Sequence, residues 1–160
     1  MNSLPDELAK RFGFNLRLLE IMSDGLSADA WSAVPGDQGN SAHWILGHVA
    51  TTRRQLVRKL GVDLPVEEWE GAFGRGVEPN GTEGLRAVAD LVADLEARQA
   101  ELDAKLIGMD AEAANAAWGV QFPDGSETVL EAASFLQFHE TYHLGQIGLL
   151  RRQTGHPGFA

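Results

Sequence analysis

Four stretches of the sequence carry apolar side chains at spacings of three and four residues, and this periodicity constrains the fold more than any other feature. Such spacing places the side chains on one face of an α-helix, which must be buried against a neighbour. The clearest stretch consists of Leu85, Val88, Val92, Leu95, Leu102 and Leu106. The periodicity predicts four long helices, over residues 5–23, 41–60, 82–106 and 128–154.

Residues that favour helix ends stand where the predicted helices begin. Asn40 or Ser41 is expected to cap the second helix, and Thr82 the third, because their side-chain oxygens can accept bonds from the first free N–H groups. Thr128 and Glu131 have the spacing of a capping box before the last helix. The predicted boundaries therefore rest on capping chemistry as well as on periodicity.

The connections between the helices complete the predicted architecture. Residues 61–84 are rich in glycine and proline and predict a long crossover between helices two and three. Residues 110–117 predict a short helix, and residues 118–129, with a Pro-Asp-Gly turn, predict a small β-hairpin. We therefore expect a single all-α domain over residues 1–160, a four-helix bundle with a long crossover and this hairpin before the last helix.

Charge and cysteine content exclude several classes of function. The chain has 13 Lys and Arg against 23 Asp and Glu, and its only basic runs are Arg53-Arg54 and Arg151-Arg152, so we expect no nucleic-acid partner. It has no cysteine, so any metal must be held by nitrogen and oxygen ligands. Neither a signal peptide nor an apolar run of about 18 residues is present, which predicts a cytoplasmic protein without a membrane partner.

Two histidines one turn apart interrupt the apolar stripe of the last predicted helix. At about 100° per residue, His139 and His143 fall in the middle of the face that carries Ala132, Ile147 and Leu150. Two buried imidazoles need partners for four ring nitrogens, and one shared metal ion would meet part of that need. The alternative is that each is a core histidine bonded to a backbone carbonyl.

A third ligand must come from another element, and the second helix offers two histidines. His48 lies about 80° from the centre of that helix's apolar face, whereas His43 lies about 140° away and should face solvent. His156 follows the predicted end of the last helix and is interpreted as a surface residue. The predicted metal ligands are therefore His48, His139 and His143.

Two known metal motifs match part of this pattern but fail in their remaining requirements. Residues 139–143 fit the zinc-peptidase motif H-E-x-x-H, but Gln146 and Leu149 stand where the extended motif needs glycine and histidine, and no acidic residue follows Glu140. Di-iron bundles need two E-x-x-H motifs, and this sequence has one. Neither a peptidase nor a di-iron carboxylate protein is favoured.

Two segments carry a resemblance to a known family that covers the whole chain. Residues 40–49, with the pattern W-x-L-G-H, and residues 139–152, with H-x-x-x-H-x-G-Q-I-G, resemble the DinB-like (YfiT-type) family. The resemblance implies a four-helix bundle with a long crossover, often a homodimer, that binds nickel, zinc or another divalent ion through three histidines. These map onto His48, His139 and His143.

The resemblance also implies a class of activity without fixing a reaction. Family members include metal-dependent transferases and isomerases that act with low-molecular-weight thiols on small-molecule substrates. A metal-dependent hydrolase that uses bound water and a non-catalytic metal- or ligand-binding bundle remain open alternatives. Imidazole ligands suit nickel and zinc alike, so the metal is not assigned.

Four further residues are candidates for supporting roles near the predicted metal. Trp44 and Gln146 are expected to line the pocket or to be ordinary packing and solvated residues. Asn15 is expected to orient a ligand histidine or to bond to a neighbouring helix. Glu140 lies about 100° from His139, which favours a surface or supporting salt bridge over a role as general base.

Overall fold

A computed structural model describes residues 3–36, 39–77 and 84–158. Four long helices account for most of this chain, and two short helices and one 3-10 helix lie in the connections. In chain order the elements are α1 Leu4–Ser23, α2 Ala28–Ser32, α3 Ala42–Lys59, the 3-10 helix Glu68–Phe73, α4 Val88–Leu106, α5 Ala111–Asn115 and α6 Val129–Gln153. The predicted all-α class is confirmed.

The four long helices form a bundle in which each packs mainly against two others. Helix α3 packs against α4 and α6, and α1 packs against the same two helices, so α1 and α3 lie across the diagonal. Two apolar clusters fill the interior, one around Ile45, Phe73 and Ile147 and the other around Phe12 and Leu102. The predicted four-helix bundle with a long connection after the second long helix is the observed architecture.

Capping chemistry sets the helix ends largely as predicted. Ser41 caps α3 by accepting a bond from the Trp44 N–H, and Thr128 and Glu131 form the expected capping box at α6. The third long helix differs, because it begins at Val88 after Ala87, which offers no side-chain cap. Thr82, the predicted cap, lies outside the described residues.

The predicted β-hairpin is not formed. Among the described residues there is no strand, and the segment before α6 contains a single antiparallel bridge between Ala117 and Thr128. Asp124 accepts bonds from the backbone and hydroxyl of Ser126, and Gly119 and Gly125 have positive φ. Backbone bonds from Trp118 to Glu127 and from Val129 to Ala116 join the two arms of this loop, but they do not extend into strands.

The basic run on α3 is buried rather than exposed. Arg53 binds Glu140 on α6, and Arg54 binds Glu70 in the 3-10 helix and Asp94 on α4. These arginines connect three elements inside the bundle and leave no basic surface at this point of the chain. No helix in the described part of the chain is long and apolar enough to cross a membrane.

Candidate metal centre

Three imidazoles from two helices meet at one point. The Nε2 atom of His139 lies 3.2 Å from Nε2 of His48 on α3 and 3.0 Å from Nε2 of His143, one turn further along α6. Zinc–nitrogen bonds of about 2.0–2.1 Å in tetrahedral geometry place ligand nitrogens roughly 3.3 Å apart. The spacing of these nitrogens therefore fits three ligands of one small divalent ion.

Hydrogen bonds at the far side of two rings fix which nitrogens carry lone pairs. His48 Nδ1 donates to the Phe73 carbonyl at 2.7 Å, and His143 Nδ1 donates to Gln146 Oε1 at 2.6 Å. In neutral imidazoles this leaves both Nε2 atoms unprotonated and facing His139. A single proton on His139 Nε2 could satisfy only one of them, so the arrangement calls for a shared cation.

His139 differs from the other two histidines at its second nitrogen. Its Nδ1 is buried and has no hydrogen-bond partner among the described residues, while its ring stacks on Phe135 at 6.3 Å between centroids. Histidines that bind metals usually donate the second N–H to an acceptor. The orientation of His139 therefore depends on packing, whereas His48 and His143 are oriented by hydrogen bonds.

The surroundings keep all three imidazoles neutral. Burial, followed by the nearby His143 and His48, lowers the pKa of His139 from 6.5 to about 4. Burial also lowers the pKa of His48 against the opposing bond to Phe73, and lowers that of His143 against the opposing bond to Gln146. The nitrogen lone pairs are therefore available to a cation at neutral pH without competition from protons.

Helix α3 and the 3-10 helix together hold His48. Trp44, one turn before His48, stacks on its ring at 5.2 Å with the planes 8° apart, and donates its indole N–H to the Ala72 carbonyl. The Phe73 ring is fully buried against Gly47, where an added Cβ would overlap it. Glycine at this position lets the 3-10 helix come close enough for its Phe73 carbonyl to reach His48.

We expect Gly47→Ala to weaken metal binding by about tenfold or more, because Phe73 must shift and withdraw its carbonyl from His48 Nδ1. Overpacking should also cost about 1–3 kcal/mol of unfolding free energy. Chelator competition and chemical denaturation measure the two effects. Gly13→Ala is the matched control, since its Cβ would meet Gln99 and Arg17 at ordinary distances of 3.7 Å and 4.0 Å. Equal metal affinity in both variants would contradict this role for Gly47.

A buried ionic cluster fixes the 3-10 helix on the bundle. Glu70 accepts bonds from Arg54 at 2.9 Å, from Arg58, and from the Glu67 backbone N–H. Burial raises the pKa of Glu70, but the bonds from Arg58, Glu67 and Arg54 outweigh it, so the pKa lies below its usual value. Sequence reasoning missed this support for the Phe73 carbonyl, because the residues are distributed over separate segments.

The three histidines open onto a cavity of about 490 Å³ between α3, α6 and the two loops beside them. This volume lies within the range of small-molecule sites, about 300–1,000 Å³. Phe122, Pro123, Phe135 and Leu136 form one wall, while Arg75 follows the 3-10 helix at the edge. A small organic molecule could therefore reach an ion held by the histidines.

The periodicity predicted that the histidine pair of α6 lies in the centre of the buried face, and this prediction was wrong. His139 and His143 are half-buried at the cavity, and the residues buried against the bundle include Glu140, Leu144 and Ile147. The prediction gave Glu140 a surface or supporting salt bridge because it lies about 100° from His139, and its carboxylate does form a salt bridge, but a buried one. Arg53 neutralises that charge inside the bundle, so the helix turns its histidines towards the cavity.

Of the remaining candidates, Trp44 and Gln146 contact the three-histidine cluster, as described above. The side chains of His43, Asn15 and His156 bond to other residues. The prediction that His43 faces solvent was wrong, because it is buried and its Nε2 bonds to the Arg86 carbonyl. Asn15 bonds to Thr141, which is the helix-to-helix alternative, and His156 contacts Thr154 near the end of α6. The structure brings together His48, His139 and His143, and their role as metal ligands stays a prediction.

Comparison with known proteins agrees with this architecture. A model of the DinB superfamily matches residues 12–147, which include all three histidines. A search of curated proteins finds no match.

Proposed function

The chain belongs to the DinB superfamily, and from this premise we propose that it is a metal-dependent enzyme that joins a low-molecular-weight thiol to a small-molecule substrate, or isomerises that substrate. The proposed ligands of one nickel or zinc ion are His48, His139 and His143. The observation that carries the proposal is the convergence of three Nε2 atoms beside an open cavity. A structural metal site would be closed by a fourth protein ligand.

The donor set and its surroundings suit catalysis at an ion. A divalent ion bound there would lower the pKa of a coordinated thiol and polarise a substrate oxygen. The Phe73 carbonyl and Gln146 keep the Nδ1 protons of His48 and His143 in place, which holds the Nε2 lone pairs towards the ion.

The proposed transfer is a substitution at an electrophilic carbon. The thiol sulfur forms a bond to that carbon, the bond from the carbon to its leaving group breaks, and the leaving group takes the bonding electrons. The thiol proton passes to solvent, because no Asp or Glu is among the described residues that line the cavity. The metal site therefore has to favour the thiolate without help from a carboxylate base.

The test is thiol-dependent turnover by metal-loaded protein. Nickel- or zinc-loaded protein is mixed with mycothiol, bacillithiol or cysteine and with 1-chloro-2,4-dinitrobenzene, whose substitution is followed by absorbance. We expect a rate above the spontaneous reaction that chelation abolishes and that His48→Ala lacks. Protein that binds metal but accelerates none of these thiol reactions would count against the transferase.

The same preparations separate the two alternative functions. Metal-dependent hydrolysis of p-nitrophenyl acetate without any thiol would favour a hydrolase that uses bound water. Tight metal or ligand binding without turnover in either assay would favour a non-catalytic binding bundle.

Metal affinity should resist mild acid because the pKa values of the three imidazoles are lowered. Three imidazoles with ordinary pKa values of about 6.5 would lose roughly 50-fold in affinity between pH 7.5 and 6, since protons compete for the ligand nitrogens. We expect a clearly smaller loss over this interval, because His139, with a pKa of about 4, stays unprotonated and the pKa values of His48 and His143 are also lowered. Zinc titration against a buffered chelator at each pH measures the affinity. A loss of about 50-fold between pH 7.5 and 6 would refute this expectation.

A homodimer in the cytoplasm is part of the proposal. Phe138, Tyr142 and Leu149 on α6 and Phe14 and Ile21 on α1 are large exposed apolar side chains on two adjacent helices, which is typical of an interaction surface. A thiol cosubstrate also stays reduced in the cytoplasm. Light scattering of tag-free protein at twice the chain mass of 17.3 kDa would support the dimer, and a monomer mass would exclude it.

A further inference from the structure

We propose that the cavity selects a ligand with a carboxylate, and that Arg75 binds this group while the other end of the ligand reaches the three-histidine site. The inference rests on the proposed function for the ligand's contact with the metal. It adds the charge of the ligand and the residue that recognises it. Arg75 is the only charged side chain among the described residues that line the cavity.

Arg75 has no bonded partner in the described part of the chain, unlike five of the ten arginines of this protein. Arg53, Arg54, Arg58 and Arg98 are held in ion pairs with Asp or Glu, and Arg151 donates to backbone carbonyls. Arg75 is exposed and has no hydrogen bond or ion pair to any described residue. Its five N–H donors match a carboxylate, which can accept two of them side by side.

The backbone relates Arg75 closely to the metal site. It stands two residues after Phe73, whose carbonyl accepts the bond from His48 Nδ1, and the buried Glu70 cluster anchors this segment to α3. Gly76 follows with φ +79°, a conformation that glycine adopts readily. The segment that orients one proposed metal ligand therefore also delivers a cation to the cavity edge.

The charge distribution around the cavity favours an anion, although that of the chain as a whole does not. The chain has a net charge of −10, so its overall field repels anions. The described lining of the cavity contains no Asp or Glu, and it combines Arg75 with the proposed divalent ion. A carboxylate would gain from the positive charge of both groups, whereas a neutral group in the same position would gain much less.

The apolar wall of the cavity indicates that the middle of the ligand is apolar. Phe122, Phe135 and Leu136 offer apolar surface between the histidines and the open side of the cavity. An alkyl or aromatic spacer would bury against them, at about 25 cal/mol per Å² of apolar surface. The predicted ligand therefore has a metal-binding end, an apolar middle and a carboxylate.

Paired probes of equal length test the carboxylate directly. Cobalt-loaded protein is titrated with 6-mercaptohexanoate and with 6-mercaptohexan-1-ol, with calorimetry for Kd and the visible cobalt spectrum for contact with the metal. We expect the carboxylate to bind about tenfold more tightly than the alcohol, a difference of about 1.4 kcal/mol. Arg75→Met should remove this preference, and Arg75→Lys should keep part of it.

Two control variants separate a specific contact from a general charge effect. Arg11→Met removes an exposed arginine that does not line the cavity, and Lys59→Met removes a cation from the neighbouring groove that shares Gln55 with it. Both should retain the preference. Equal affinity for the two probes in the unmodified protein would overturn the inference, and so would a preference that survives Arg75→Met or disappears with Lys59→Met.

Failure of the proposed function gives a different result from failure of the inference. If neither thiol alters the cobalt spectrum, the thiol part of the proposed function is wrong. The carboxylate is then tested on metal-free protein with 4-phenylbutyrate and 4-phenylbutan-1-ol, which need no metal contact. Preference for the acid that depends on Arg75 would still support the inference, and equal binding would overturn it.

Discussion

His139→Ala is expected to weaken binding of zinc or nickel by more than about 100-fold. His139 Nε2 is the atom that the other two ligand nitrogens approach, at 3.2 Å for His48 and 3.0 Å for His143. Its removal leaves a two-histidine site whose third position is filled by water. Competition with a fluorescent zinc chelator measures the affinity, and circular dichroism shows whether the helices remain.

Two other histidines provide the controls for this variant. His156→Ala should bind metal as the unmodified protein does, because the His156 ring bonds to Thr154 near the end of α6. His43→Ala should also keep the metal, although it loses the buried bond to Arg86 and some stability with it. Unchanged affinity in His139→Ala, or an equal loss in all three variants, would contradict the assignment of the ligands.

Glu140→Gln is expected to lower the free energy of unfolding by about 3–5 kcal/mol. Both Glu140 oxygens accept from Arg53, at 3.0 Å from Nε and 2.5 Å from Nη2, and the two side chains are 5% and 1% exposed. The amide would leave the Arg53 guanidinium charged and incompletely paired inside the bundle. Chemical denaturation of the metal-free protein measures the loss.

A surface pair and a double variant show whether burial is the cause. Lys10→Met breaks the exposed pair with Glu7, which should cost no more than about 1 kcal/mol. The double variant Arg53→Met with Glu140→Leu removes both charges. Its loss of unfolding free energy should therefore be smaller than the sum of the losses in Arg53→Met and Glu140→Leu measured separately. Additive single losses, or a cost for Glu140→Gln as small as for Lys10→Met, would show that the ion pair does not act as described.

The ion pair and the proposed metal site connect the same two helices. Glu140 follows His139 directly on α6, and Arg53 lies on α3 in the same stretch as His48. A metal that binds only the folded chain would add to the stability of this contact in proportion to the logarithm of its free concentration. On each helix, one residue thus belongs to the proposed metal site and a nearby residue belongs to the ion pair that packs the bundle.

The helices could be predicted from sequence because apolar periodicity and capping are local properties. Ser41 and the capping box of Thr128 mark helix starts that the structure shares. The start of α4 at Val88 departs from this rule, since Ala87 offers no side-chain oxygen. The predicted hairpin is reduced, among the described residues, to one bridge between Ala117 and Thr128, since positive φ at Gly119 and Gly125 takes the backbone out of the extended conformation.

The three histidines of the candidate site could be chosen from sequence because two of them share one helix at a spacing of four residues. His48 was chosen from its angle on α3, and its contact with His139 at 3.2 Å agrees with that choice. The partners that orient the site were not all accessible in this way. Phe73 acts through its backbone carbonyl, which no side-chain pattern reveals, and Glu70 depends on contacts between segments that only the fold brings together.

X-ray absorption at the metal edge of zinc-loaded protein is the most direct test of the central claim, that three histidines bind one divalent ion. We expect about one zinc per chain and a first shell of three imidazole nitrogens at about 2.0–2.1 Å with one further light atom. His48→Ala should lose one imidazole from that shell. A shell with one imidazole or none, or the same spectrum in His48→Ala, would contradict the account.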